Sequence, residues 1–126
     1  MSGRKNGLLK FKAISAGAMA NTDTLTSAVS NIEYLDNVGI QFVFTGTPTG
    51  TFYVDVSIDH AQDQNGNVSV AGTWTPVTLP SSPVASGAAG NVFIDLNQLS
   101  APWVRFRYVN TSGSGTLDAY LCGKML

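Results

Sequence analysis

The chain has one cysteine, one histidine and few charges, and each scarcity removes a class of function. A single Cys122 excludes an internal disulfide, and its apolar strand context suits a free thiol acting as a small buried hydrophobe. A nucleophilic triad or a histidine-based metal site would have to be built around His60 alone. Charged residues are 12% of the chain, about half the usual share. Apolar residues reach 44%, which excludes the composition of a disordered chain. No apolar run approaches the roughly eighteen residues of a spanning helix, and the basic start at Met1–Asn6 lacks the apolar core of a secretion signal. The expectation is a soluble protein made in the cytoplasm, with no membrane partner.

What replaces the missing charge is Thr, Ser, Asn and Gly, a wet surface that repels its neighbours weakly and suits life in an assembly. The basic residues are unevenly placed. Arg4, Lys5, Lys10 and Lys12 stand in the first twelve positions, ahead of any acid, while Arg105, Arg107 and Lys124 face eight acids in the remainder. Such an arm can meet an acidic partner surface. For nucleic acid it is poor footing, being one short cluster without interleaved aromatics. The plainer alternative is an edge strand that Lys10 and Lys12 protect from mispairing.

Period-two alternation dominates the rest. Val38, Ile40, Phe42 and Phe44 share one face of a strand, and Phe52, Val54, Val56 and Ile58 share one face of the next. Between them Gly46–Gly50 predicts a hairpin turn. Further strands are expected over Leu8–Ile14, Thr73–Leu79 (an edge, given Pro76), Asn91–Leu96, Trp103–Asn110 and Thr116–Cys122, the last two joined by a Ser-Gly-Ser-Gly hairpin. Ser15–Thr22 and Pro80–Gly90 read as loops, and Asp23–Ser30 as extended chain. About seven or eight short strands with Gly/Pro/Asn turns predict an all-β fold, an antiparallel β-sandwich or jelly roll. A length of 126 residues is one domain, divided here into an arm and flexible segment over 1–22 and the sandwich over 23–126.

Candidate sites are few. His60 reads as a strand-end or loop residue. Asp55 and Asp59 share a strand face, yet paired acid catalysis needs more than that spacing. Asp59, Asp63, Asn65 and Asn67 ring Gly66 with oxygen, as calcium loops do, without the downstream glutamate of an EF-hand and with a composition ordinary for turns. Gly113-Ser114-Gly115 opens no helix and is no phosphate cradle. No catalytic, metal or cofactor-binding residue emerges, so the chain is expected not to be an enzyme. Trp74, Trp103, Tyr53, Tyr108 and Tyr120 offer a stacking platform for a glycan or a protein. Trp103, Arg105 and Arg107 share one strand face, residue types enriched where interfaces concentrate their energy. The competing expectation is that Trp103 closes one end of the core and the arginines are solvated.

The order of the pieces adds a resemblance. Phe52-x-Val54-x-Val56-Ser57-x-Asp59 is followed by Gly72-x-Trp74, Ile94-Asp95-Leu96-Asn97-Gln98-Leu99, Pro102-Trp103-Val104-Arg105 and Ser112-Gly113-x-Gly115-Thr116-Leu117-x-Ala119-Tyr120. Over residues 38–124 the chain resembles small β proteins of tailed bacteriophages. The resemblance implies a non-catalytic virion component of the capsid decoration, cement or head-accessory kind. Its partners would be the major capsid protein and copies of itself. A tail or fibre module binding a host glycan through exposed aromatics is the alternative.

Overall fold

The computed structural model describes residues 8–33, 35, 37–79, 83–97 and 100–124. Along them run β1 (Leu8–Met19), β2 (Thr24–Thr26), β3 (Ser30–Asn31), β4 (Asn37–Gly46), β5 (Thr49–Ser57) and β6 (Ala61–Gln62). These are followed by β7 (Val68–Val70), β8 (Thr75–Pro76), β9 (Val84–Ser86), β10 (Gly90–Asn97), β11 (Trp103–Ser112) and β12 (Gly115–Lys124). All pairings are antiparallel. One sheet has the order β1-β12-β4-β10. The other has the order β2-β11-β5-β8, with β3 beside β11 and β9 beside β5, and β6-β7 is a separate ribbon. The fold is an all-β antiparallel sandwich.

Alternation along the long strands decides what lies between the sheets. Val38, Ile40, Phe42 and Phe44 of β4 and Leu117, Ala119 and Leu121 of β12 face inward from one sheet. Phe52 and Val54 of β5 and Val104, Phe106 and Tyr108 of β11 face them from the other. Phe52 is the hinge of this packing, with its ring centroid 4.6 Å from Phe42, 5.4 Å from Phe44 and 4.7 Å from Tyr108. Burying a side chain of this size stabilises the fold by roughly 2–3 kcal/mol.

Two expected hairpins are arches instead. β4 and β5 are consecutive but lie in opposite sheets, and so do β11 and β12. The chain crosses from sheet to sheet at 46–49 and again at 112–115, and the two crossings lie side by side. Thr47 N–H donates to Ser114 O at 2.8 Å, and Gly46 pairs with Gly115 as Thr49 pairs with Ser112. Gly113 (φ 73°) sits where any Cβ would strike the Thr47 carbonyl, so glycine is required there for contact as well as conformation. The physical reason is economy of apolar surface. A hairpin would leave both inward faces on one side of one sheet, whereas an arch turns them toward each other.

Two loop expectations also change. Ser15–Met19 continues β1 through two register shifts, with Ala16 at φ 50° and its N–H bonded to Asp118 Oδ1 at 2.8 Å. Met19 anchors the end in the core, which is why a run of small residues is held as strand. Val84–Ser86 is β9, paired with Thr49–Thr51, within the stretch read as loop. The strand count rises from about seven or eight to twelve among the described residues because β2, β3, β6, β7 and β9 are two- or three-residue pieces too short to show a period. Asp23–Ser30 is extended, as expected, and Pro76 lies on the edge strand β8.

Candidate interaction surface

The outward face of β11 and β5 gathers the polar residues that the core excludes. Register sets Trp103 beside Ser57, Arg105 beside Asp55 and Arg107 beside Tyr53. Asp55 is 1% exposed although it belongs to the outer face. Its burial follows from its cover. Arg105 Nε donates to Oδ2 at 3.1 Å, Arg107 Nε donates to the same oxygen at 2.9 Å, and Arg107 Nη2 donates to Oδ1 at 3.2 Å. Hydrogen bonding to Asp55, opposed by desolvation, raises the Arg107 pKa above the ordinary arginine value, so the guanidinium stays charged.

Each arginine is also laid on a ring. The Arg105 guanidinium carbon lies 4.6 Å from the Trp74 ring centre and that of Arg107 lies 4.3 Å from Tyr53, within the range of a favourable cation–π contact. His60, at the end of β5, is buried between tryptophans, with its ring centroid 4.8 Å from Trp103, edge-on, and 5.3 Å from Trp74. Its Nδ1 lies 2.9 Å from Ala71 O and its Nε2 lies 3.1 Å from Gln62 Nε2. With the proton on Nδ1, the ring donates to Ala71 and accepts from Gln62, and both nitrogens are satisfied. His60 therefore acts as a brace that fixes Trp74 and Trp103.

This arrangement relocates several sequence-stated candidates. Trp103 does not close the core; it stands half-buried on the outer face against His60, and the arginines are bound rather than merely solvated. Tyr108 is fully buried, with its hydroxyl donating to Asn110 Oδ1 at 2.7 Å, and is no part of a platform. Asp55 and Asp59 are not an acid pair. Asp55 is enclosed by arginines, while Asp59 Oδ1 accepts from Ser57 Oγ at 3.0 Å and from Thr73 N–H at 2.7 Å. Asp63 Oδ1 accepts from the N–H groups of Asn65 and Asn67 at 2.8 and 3.0 Å, so this carboxylate shapes its own turn. Those backbone bonds lower the pKa of both aspartates.

Lys10 and Lys12 lie on β1, an edge of the four-stranded sheet, far in topology from Trp103, Arg105 and Arg107. Lys12 meets Asp118 at 3.2 Å. Arg4 and Lys5 lie outside the described residues. Cys122 is half-buried on the outer face of that sheet rather than in the core. The pairing of Asp55 with the two arginines is what sequence reasoning missed. The signal was present, since an acid on one outward face and two arginines on another imply a cross-strand pair once β5 and β11 are neighbours.

No family model and no curated protein matches the chain. Solved structures do match in fold. Over 97% of its length the chain superposes on the structure of infectious bursal disease virus, Gx strain, with a TM-score of 0.56 at 10% identity, and spans 32% of that chain. It matches the PBSX exported protein XepA with a TM-score of 0.56 at 16% identity, over 91% of this chain and 36% of that one. The SPBc2 prophage-derived protein YomS matches with a TM-score of 0.50 at 12% identity, over 97% of this chain and 98% of that one. The chain thus spans about a third of the first two structures and nearly all of the third. What it shares with these proteins of viral and prophage origin is the all-β sandwich.

Proposed function

We propose that the chain is a non-enzymatic structural protein of a phage particle, a capsid decoration or cement protein that binds the major capsid protein and further copies of itself. The carrying observation is the fold. Nearly the whole chain follows about a third of a chain in a virus structure, and a prophage-derived protein of matching length has the same sandwich. The braced face of Trp103, Arg105 and Arg107 supports the proposal, being a prepared polar and aromatic surface with its side chains already ordered. Many identical contacts of modest strength on a lattice sum to high avidity, and a surface poor in charge limits the desolvation that such contacts require.

The glycan-binding alternative has less support. One face of the Trp74 ring and one face of the Tyr53 ring are occupied by the protein's own guanidinium groups, leaving fewer free aromatic faces for a sugar. The basic start of the chain adds a second contact in this proposal, with Arg4 and Lys5 reaching a neighbour. Deleting residues 1–7 tests that and leaves β1 whole, whereas a cut after Lys12 would remove strand pairings to β12.

The deciding experiment is quantitative mass spectrometry of purified particles from the source of this chain. Copies in simple ratio to the major capsid protein are expected. A handful per particle would transfer the chain to the tail or portal vertex, and absence from the particle would overturn the proposal.

A further inference from the structure

We infer that the Arg105–Asp55–Arg107 cluster is a docking clamp for carboxylate side chains on an acidic segment of a partner protein. This rests on the proposal that the chain is a docking module and names the chemistry of what it docks to.

Three observations combine. First, the clamp keeps a local excess of positive charge, two guanidinium groups against one carboxylate, in a chain whose formal net charge is −1. Second, the forks are not exhausted. A guanidinium has five N–H donors, and Arg105 gives Asp55 only its Nε while Arg107 gives Nε and one Nη2 bond. The terminal nitrogens of Arg105 and Nη1 of Arg107 make no hydrogen bond to the described residues. Third, both forks are already fixed, by Asp55 within the sheet and by Trp74 and Tyr53 at their faces. Ordering a free arginine is a large part of the cost of binding through it, and here that cost is met in the unbound protein.

The occupant follows from charge and shape. A planar fork with free terminal N–H groups matches the two oxygens of a carboxylate. A neutral sugar would instead want ring faces, and those are partly covered. Asp59, which follows β5 in the chain, turns Oδ1 toward Ser57 and Thr73 and makes no ion pair with either arginine among the described residues. Trp103, half-buried beside His60, supplies an apolar rim against which the stem of a bound glutamate can lie.

The test uses the purified full chain, labelled for side-chain NMR, with hexaglutamate as probe. Hexaglutamine and maltohexaose are the controls. Saturable shifts of the Arg105 and Arg107 Nε–H signals and the Trp74 indole N–H are expected with hexaglutamate alone. Arg105→Gln should weaken binding by about tenfold, while Lys10→Gln combined with Lys12→Gln should leave it within about twofold. Shifts that never saturate, equal shifts with maltohexaose, or loss of binding in the lysine variant and not in Arg105→Gln would each overturn the clamp. No particle is needed, so a failed titration leaves the copy-number result standing, and a failed copy-number result leaves the titration standing.

Discussion

The two outer faces of the sandwich carry the same kinds of side chain and treat them differently. On the four-stranded sheet an acid, a cation and a ring meet in the open. Lys12 lies 3.2 Å from Asp118 and 5.6 Å from the Tyr120 ring. On the other sheet Asp55 is sealed under two arginines, each stacked on its own ring. Composition does not separate these clusters; position does. Asp55 sits on a central strand between β11 and β8, with Arg105 directly across the ladder and Arg107 on the diagonal. Asp118 faces the bulge in β1, where a distorted edge brings the Ala16 N–H onto the carboxylate and leaves water access. A charge cluster becomes structural when the neighbouring strands shield it, and stays ordinary surface when an edge opens it.

The largest break in this comparison is Asp55→Ala. It removes three charge-assisted hydrogen bonds and leaves two guanidinium groups facing each other. Because the two arginines left behind still reach solvent, the loss should be about 1.5–3 kcal/mol, and urea unfolding should show it as a lower midpoint. Asp118→Ala should move that midpoint much less, because its pair with Lys12 is exposed and screened and only the Ala16 N–H bond is lost beside it. Equal losses for the two variants would mean that burial does not separate the faces.

A smaller effect comes from exchanging cations. Arg105→Lys keeps the charge but loses the planar stack on Trp74, so about 1 kcal/mol of stability should go, with a change in Trp74 emission. Lys12→Arg should be neutral in both readouts. If Arg105→Lys proved neutral too, the ring would be only a neighbour and the fork would owe its position to Asp55 alone.

Part of this was legible in the sequence. The inward faces of β4, β11 and β12 and of Phe52 and Val54 in β5 follow from alternation, as does the shared outward face of Trp103, Arg105 and Arg107, whereas Ile58, expected on the inward face, is 74% exposed. What alternation does not carry is which strands are neighbours. Gly46–Gly50 and Ser112–Gly115 contain the residues of a chain reversal, and a reversal within one sheet uses the same residues as a crossing between two. The choice is made by apolar faces that meet only when the whole chain has folded. The Asp55 pairing was lost for the same reason, since the partners are about fifty residues away. Ser15–Met19 was misread because small residues carry no period, and its strand is imposed by β12 and by the burial of Met19.

The smallest effect expected is local and pH-dependent. Asp59, Asp63 and Asp118 all have pKa values below the usual 3.8. The first cause in each case is a backbone N–H donor, from Thr73, from Asn67 and from Ala16 respectively. A group lowered by folding contributes stability that is fully present above its unfolded value and is lost as pH falls through its folded value. Each carboxylate should therefore hold its loop or bulge firmly above pH 3.8 and release it only in stronger acid. Following the amides of Thr73, Asn67 and Ala16 by NMR from neutral pH into acid should show each moving with the midpoint of its own aspartate. Asp59→Asn should abolish the step at Thr73 and leave the one at Ala16. Lys12 gives the opposite sign, since its pKa is raised above 10.5 chiefly by the hydrogen bond to Asp118. Its contribution is complete below 10.5 and is lost as pH climbs through the raised value, so the open cluster should loosen at both extremes. If Ala16 instead moved together with Thr73 at a single midpoint, both amides would be reporting one global transition, and the holding of each segment by its own aspartate would have to be abandoned.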